Sequence, residues 1–486
     1  MTPAPVTETM GDRSKGNNKM YDILIINGLV PDYEKGEFYK ADVAVKGGSI
    51  AAVLGAGSCA EAKRTIDAEG LVVSPGIIDM HMHEEEFRDE VPQFDISELM
   101  IRMGVTTGVC GNCGMHFHRL GEFKEIVKGL GGGLINLVPL SGYNTFRDAQ
   151  GLGWYEDASP EIRERVIQLL REELEEGSWG VSFGLEYDPG ISTEEMTGAI
   201  MALREYDPFV SIHFRADCDE CMASIREMAE LSENTGCNVE ISHIGSLAAV
   251  GGHMAESLDY LREKMKENPK LRYDVYPYNA FCTLIGSAAF DMDWRAKWNV
   301  DYDIIMPLAE PYLGMRCDEE MYNKLLREDP DALVVAFALN EDDVRAAMKE
   351  PMGLFGSDGE VFPGYDVHPR AVGTFPRILG KYVREEKLLP LITALDKMTR
   401  QAAGFTGLAK KGEIREGMDA DILIFDPDTI KDNADYLNTR EPNDGIRCVI
   451  VNGVPVVEND KLTGATPGRI LHRSERQYRS GSVRGV

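Results

Sequence analysis

Six side chains of this 486-residue chain could together hold a metal ion: His81, His83, Cys113, His213, His243 and Asp358. Each closes a short apolar run and opens a polar or glycine-rich stretch, where the end of a buried strand is expected. Imidazole, thiolate and carboxylate are donors that zinc accepts, and a site with an open position lowers the pKa of its water toward ~7. The chemistry implied is hydrolysis by metal-activated water. In Asp79-Met80-His81-Met82-His83, alternate residues of an extended strand share a side, so Asp79, His81 and His83 can point together. A single histidine or an aspartate before glycine carries little information. The series carries more. His213 and His243 end the consecutive runs Val210-Ser211-Ile212-His213 and Val239-Glu240-Ile241-Ser242-His243, and Asp358 ends the last run in Gly356-Ser357-Asp358-Gly359. His116 and His118, after the Cys113 loop, are expected at the surface or in supporting roles. His253 and His472 fall in a polar helix and a basic tail.

The elements that must position these ligands alternate between strand and helix. Strands are predicted over 77–80, 105–109, 134–139, 179–184, 209–213, 239–243, 271–276 and 354–357, with helical spacing plainest over 161–176. Eight such alternations predict an α/β fold, a (β/α)8 TIM-like barrel over 75–411, whose active site lies at the C-terminal strand ends. The stretch 279–350 is too long for a simple connection and is expected to be a cap insertion over the barrel mouth. Short β-rich pieces near the start recur in texture near the end, so 20–74 and 412–470 are expected to pair into a small discontinuous β-sandwich domain. Residues 1–19 read as a disordered tail.

Bulk composition narrows the partners. A net charge of −30 repels phosphate backbones and anionic membranes, so neither nucleic acid nor membrane is expected. Nine scattered cysteines, an odd number, suit a reducing compartment better than a disulfide scaffold. The opening residues lack the pattern of a signal peptide, and no apolar run approaches the roughly 18–20 residues of a membrane span. A cytoplasmic protein acting on a small molecule is the expectation, as a monomer or a homo-oligomer.

Certain motifs go further. They are Pro75-Gly76-Ile77-Ile78-Asp79-Met80-His81-Met82-His83, Gly111-Asn112-Cys113-Gly114, Gly184-Leu185-Glu186-Tyr187-Asp188-Pro189-Gly190, His213-Phe214-Arg215, and His368-Pro369-Arg370 followed by Gly373-Thr374-Phe375-Pro376-Arg377. With these the chain resembles the amidohydrolase superfamily and, within it, the N-acyl-D-amino-acid deacylase (D-aminoacylase) family, over nearly its whole length after the tail. Many two-metal amidohydrolases bridge their metals with a carbamylated lysine of the fourth strand. Here no lysine occurs between Lys128 and Lys264, which excludes that bridge. The family uses a second-strand cysteine instead, matched by Cys113; Cys110 is the competing thiol. The resemblance implies a tight zinc on Cys113, His213 and His243 and a weaker second position near His81, His83 and Asp358.

It also implies zinc-dependent deacylation of N-acyl-D-amino acids, with Asp358 as general base and then acid to a zinc-activated water. Tyr187 would donate to the developing oxyanion. Arg370 would grip the substrate carboxylate with two parallel hydrogen bonds, and Tyr276 and Tyr278 would line the pocket. Two positions depart from the family. Gly245 stands where a carboxylate-binding lysine is common, and Tyr143 where a histidine is common. The competing expectations are therefore a cyclic or carboxylate-free amide, a deamination, or a catalytically silent structural relative.

Overall fold

A computed structural model of the protein describes residues 20–87, 93–291 and 293–478, so the expected tail over 1–19 lies outside the described residues. Eight strands form one parallel sheet in chain order: Ile77–Asp79, Val105–Cys110, Asn136–Gly142, Gly180–Gly184, Phe209–His213, Val239–Ile241, Leu271–Val275 and Leu354–Phe355. Backbone bonds from Met80 N–H to the Phe355 carbonyl (3.3 Å) and from Asp358 N–H to the His81 carbonyl (2.8 Å) join the last strand to the first. The sheet is thereby an (β/α)8 barrel. Strands covered on both faces by helices and by the barrel interior are buried and mainly apolar, and the second, third and fifth are buried at every position.

The helices outside follow ordinary rules. Pro160–Glu176 starts where the Ser159 hydroxyl accepts the Ile162 N–H (3.3 Å), with proline at its first position. It stops at Gly177, whose φ of 115° suits a residue without a side chain. Val166, Leu169, Leu170 and Leu174 are its buried stripe against the barrel.

Both ends of the chain contribute to a second, nine-stranded sheet. Val72–Pro75 pairs antiparallel with Ile422–Phe425, so the strand that leads into the barrel lies beside the one that leaves it. Ile23, Ile25, Val43, Val45 and Ile50 from the early strands share an apolar cluster with Ile422, Ile424, Cys448 and Ile450 from the late ones. Ala420 N–H to the Gly48 carbonyl (2.9 Å) and Ile50 N–H to the Met418 carbonyl (2.8 Å) tie the two groups across it.

Between the seventh and eighth barrel strands the chain builds an antiparallel three-stranded sheet, Phe281–Leu284, Ile305–Pro307 and Leu333–Ala336. The short helix Trp294–Trp298 leans on it through Phe281 and Phe290. The last helix of this stretch, Glu341–Lys349, returns to the barrel wall, where Tyr273 donates to the Ala347 carbonyl (2.9 Å). The C-terminal segment then crosses back to the barrel, with Leu471 N–H on the Leu137 carbonyl (2.8 Å) and Arg473 Nε on the Leu174 carbonyl (3.2 Å). His472 belongs to this clasp, its ring placed against Gly177.

Candidate metal centre

All six candidate ligands converge, buried, at the C-terminal ends of the barrel strands. The Cys113 sulfur lies 3.4 Å from His81 Nε2, 3.7 Å from His213 Nδ1 and 3.7 Å from His243 Nε2. His213 Nδ1 and His243 Nε2 are 3.0 Å apart, and His83 Nε2 is 3.3 Å from Asp358 Oδ1. The donor atoms fall into two groups that share one sulfur: Cys113, His213 and His243, and His81, His83, Cys113 and Asp358, each within 4.8 Å. Cys110 lies apart, in the apolar core, with its thiol on the Val138 carbonyl.

The backbone bends to achieve this. Cys113, His243 and Asp358 all have positive φ, at 56°, 33° and 52°, in the left-handed region that residues with a Cβ seldom adopt. Gly114 explains the turn after Cys113: a Cβ there would collide with the Asn144 side chain, which locks the loop to Gly184 through bonds of 2.8 and 2.9 Å. Asn112 completes the loop by donating to the Met82 and Val109 carbonyls.

Charges within the cluster fit a divalent cation. Burial would raise the Cys113 thiol, yet His81, His213 and His243 hold it well below its usual range. Burial would likewise raise the Asp358 carboxyl, yet Arg370, His81 and His243 hold it well below the carboxylate range. Against the opposing effect of burial, Asp358 and Cys113 raise His83 to about 10, and Cys113 and Glu186 raise His213 to about 9. Protonated imidazoles around a thiolate and a carboxylate supply the positive charge that a zinc-type ion would bring, and the soft, mixed donor set suits zinc.

Two buried carboxylates behind the ligands were not singled out by sequence. Asp274 Oδ2 meets His81 Nδ1 at 3.2 Å, and Glu186 Oε2 meets His213 Nε2 at 3.1 Å. Each fixes its imidazole so that the other nitrogen faces the cluster. The signal for Asp274 was an acidic residue next to the apolar end of a buried strand, Leu271–Val275. Asp79, although in register with His81 and His83, is turned to structure: it accepts the His81 and Ser357 N–H groups and bonds the first strand to the eighth.

A narrow cavity opens above the cluster, bounded by Tyr187, His213, His243 and Asp358 below and by Phe281, Thr283 and Trp298 of the inserted segment above. The Tyr187 ring lies 4.4 Å from that of His213, and its hydroxyl meets Thr283. Arg370 sits behind Asp358, with Nη1 2.8 Å from its Oδ2 and Nη2 3.1 Å from Glu360 Oε1. Tyr276 carries that guanidinium on its ring face at 5.0 Å and shares its hydroxyl with Ser246 at 2.6 Å. The Tyr278 hydroxyl donates to the Pro369 carbonyl, and the residue is not part of the cavity lining. His116 accepts the Gly142 N–H and His368 the Arg370 N–H, so both serve the backbone.

The two departures also have structural counterparts. Tyr143 is fully buried, stacked on Phe183 with its hydroxyl on Glu195. A side chain at Gly245 would press on Leu339 of the inserted segment, 3.3 Å from the Cβ position.

A parallel barrel with a thiolate-sharing ligand cluster at its C-terminal end is the frame of a metal-dependent amidohydrolase. Residues 288–457 match the model of the amidohydrolase family. The chain is 31% identical to the N-acyl-D-glutamate deacylase of Alcaligenes xylosoxydans xylosoxydans, over 93% of this chain and 96% of that one. It is 29% identical to the D-aminoacylase of the same organism, over 95% and 99%. The crystal structure of N-acyl-D-glutamate deacylase from Bordetella bronchiseptica, complexed with zinc and a phosphonate inhibitor, superposes with a TM-score of 0.80 at 27% identity, covering 93% of this chain and all of that one. The chain belongs to the N-acyl-D-amino-acid deacylase (D-aminoacylase) family of amidohydrolases, hydrolases of carbon–nitrogen bonds other than peptide bonds. Among the described residues no helix is long and apolar enough to cross a membrane.

Proposed function

We propose that this protein deacylates N-acyl-D-amino acids, with zinc held tightly by Cys113, His213 and His243 and a weaker second position at His81, His83 and Asp358. The observation that carries this reading is the single sulfur shared by the two ligand groups, in a chain with no lysine available for a carbamylated bridge. When bound, zinc supplies a Lewis acid for the amide carbonyl and an acidified water. Asp358, kept ionised at the cavity floor, takes the proton from the attacking water and passes it to the leaving nitrogen. Tyr187 stands beside His213 with a hydroxyl able to donate to the carbonyl oxygen. Arg370, already spanning two carboxylates, is shaped to receive the substrate carboxylate by the same two-pronged grip.

Gly245, with no side chain to offer a substrate where the family commonly carries a carboxylate-binding lysine, favours a second reading, an amide without that carboxylate. A panel of N-acyl-D-amino acids, N-acyl-L-amino acids, cyclic amides and uncharged amides, assayed on the zinc-loaded protein, separates them. Turnover of the D series above the others is expected. Turnover of uncharged or cyclic amides alone would replace the first reading by the second.

A further inference from the structure

The outer half of the cavity is built from different parts of the chain than the metal cluster. Phe281, Ala289 and Trp298 come from the inserted segment, and Phe214 and Asp217 from the loop after the fifth strand. Asp217 is buried, and its Oδ2 accepts the Trp298 indole N–H at 2.7 Å. Lys297, next to Trp298 and exposed at the rim, places its ammonium on the other Asp217 oxygen. The inserted segment is thus latched to the barrel by a carboxylate that faces the cavity.

Charge decides what this space can hold. The lining contains three carboxylates, Glu186, Asp217 and Asp358, and no described lysine or arginine. Of the two cations nearby, Arg370 lies behind Asp358, where the deacylase reading places the α-carboxylate of the substrate, and Lys297 is paired with Asp217. A second carboxylate entering beside Asp217 would find no unpaired cation in the lining and would have to compete with Asp217 for Lys297. The faces of Phe214, Phe281 and Trp298 suit apolar groups and, edge-on to an acidic residue, cationic ones.

From this we propose that the outer cavity is a side-chain subsite that admits neutral and basic groups and excludes a second carboxylate, with Asp217 as the discriminating residue. The proposal rests on the deacylase reading and makes it narrower: of the N-acyl-D-amino acids, those with apolar or basic side chains are substrates, and those of glutamate and aspartate are not.

The test is kcat/KM for N-acetyl derivatives of D-leucine, D-phenylalanine, D-lysine, D-glutamate and D-aspartate on the zinc-loaded protein and on its D217N and K297M variants. The amide of D217N keeps an oxygen for the Trp298 N–H and removes only the charge. In the unmodified protein the acidic derivatives should fall about tenfold or more below the neutral ones, because a carboxylate placed there loses water without gaining a free cation. D217N frees the Lys297 charge and should raise the acidic-to-basic ratio by about tenfold, whereas K297M should lower it. Acidic derivatives turned over as well as neutral ones, or a ratio unmoved by D217N in a folded, zinc-loaded variant, overturn the subsite. Failure of the deacylase reading looks different: no derivative is hydrolysed. Calorimetric binding of the same ligands then decides the subsite alone, since acidic ligands bound as tightly as basic ones overturn it and the predicted charge order supports it.

Discussion

Glu186 offers a direct test of the proposed metal site, because it touches the candidate ligand His213 without being one of the six candidate ligands. Its Oε2 lies 3.1 Å from His213 Nε2, and its side chain is 12% exposed. Two full charges at this distance would attract by about 5 kcal/mol at an effective dielectric constant of 20. That figure is an upper bound, because a histidine that coordinates a metal through Nδ1 is neutral and offers Glu186 only a polarised N–H. The appropriate scale is that of carboxylates behind metal-bound histidines, roughly 10- to 100-fold in metal affinity, or about 1.4–2.7 kcal/mol. E186Q retains an oxygen for the His213 N–H and should sit near the lower end; E186A removes the oxygen too and should sit near the upper. Competition for zinc against a chromophoric chelator measures both. In the metal-free protein, where burial lowers His213 but Cys113 and Glu186 raise it to about 9, E186Q should bring its titration down, visible in imidazole NMR shifts. Zinc affinity unchanged in E186A, with His213 titrating as before, would refute the idea that this carboxylate sets the histidine's charge and orientation.

The thiol assignment separates two neighbouring cysteines: C113A should lose the tightly held zinc and the activity, while C110A should keep both and lose about 1 kcal/mol of stability from its buried sulfur, as read by metal analysis and urea unfolding. A pH effect should arise far from the cavity. Burial pulls the Lys397 ammonium from 10.5 down to about 7, although its Nζ donates to the Met348 and Glu350 carbonyls at 2.6 and 2.8 Å. Between those values the unfolded chain binds the proton that the folded one releases, so stability should rise with pH from about 7 upward, by at most about 1.4 kcal/mol per pH unit. K397M should flatten that rise in urea midpoints measured from pH 7 to 9; an unchanged slope would show that Lys397 stays charged when buried.

The barrel was legible in the sequence because parallel strands buried on both faces are written as short, mainly apolar runs, and all eight are where those runs lie. The pairing of chain ends was legible for a related reason, since neither β-rich segment has enough apolar surface to bury by itself. Less legible was the return of the inserted stretch: Glu341–Lys349 has an ordinary amphipathic pattern, and only the Tyr273 bond to Ala347 shows that it lies on the barrel. The C-terminal clasp was hidden because it uses backbone groups, which have no signature in residue type.

What the sequence determined by itself was the chemistry of the ligands. Histidine, cysteine and aspartate at the ends of apolar runs are a local signal, and a region without lysine excludes a carbamylated bridge without any coordinates. What only the tertiary structure decided was which groups stand behind and above them. Asp274 reaches His81 across 193 positions of sequence and Asp217 reaches Trp298 across 81, so no spacing rule could pair them. The left-handed backbone at Cys113, His243 and Asp358 is likewise a product of the closed barrel, whose packing alone can hold non-glycine residues there. Ligand identity follows from donor chemistry, which each residue carries with it; orientation and charge balance follow from neighbours, which only folding supplies.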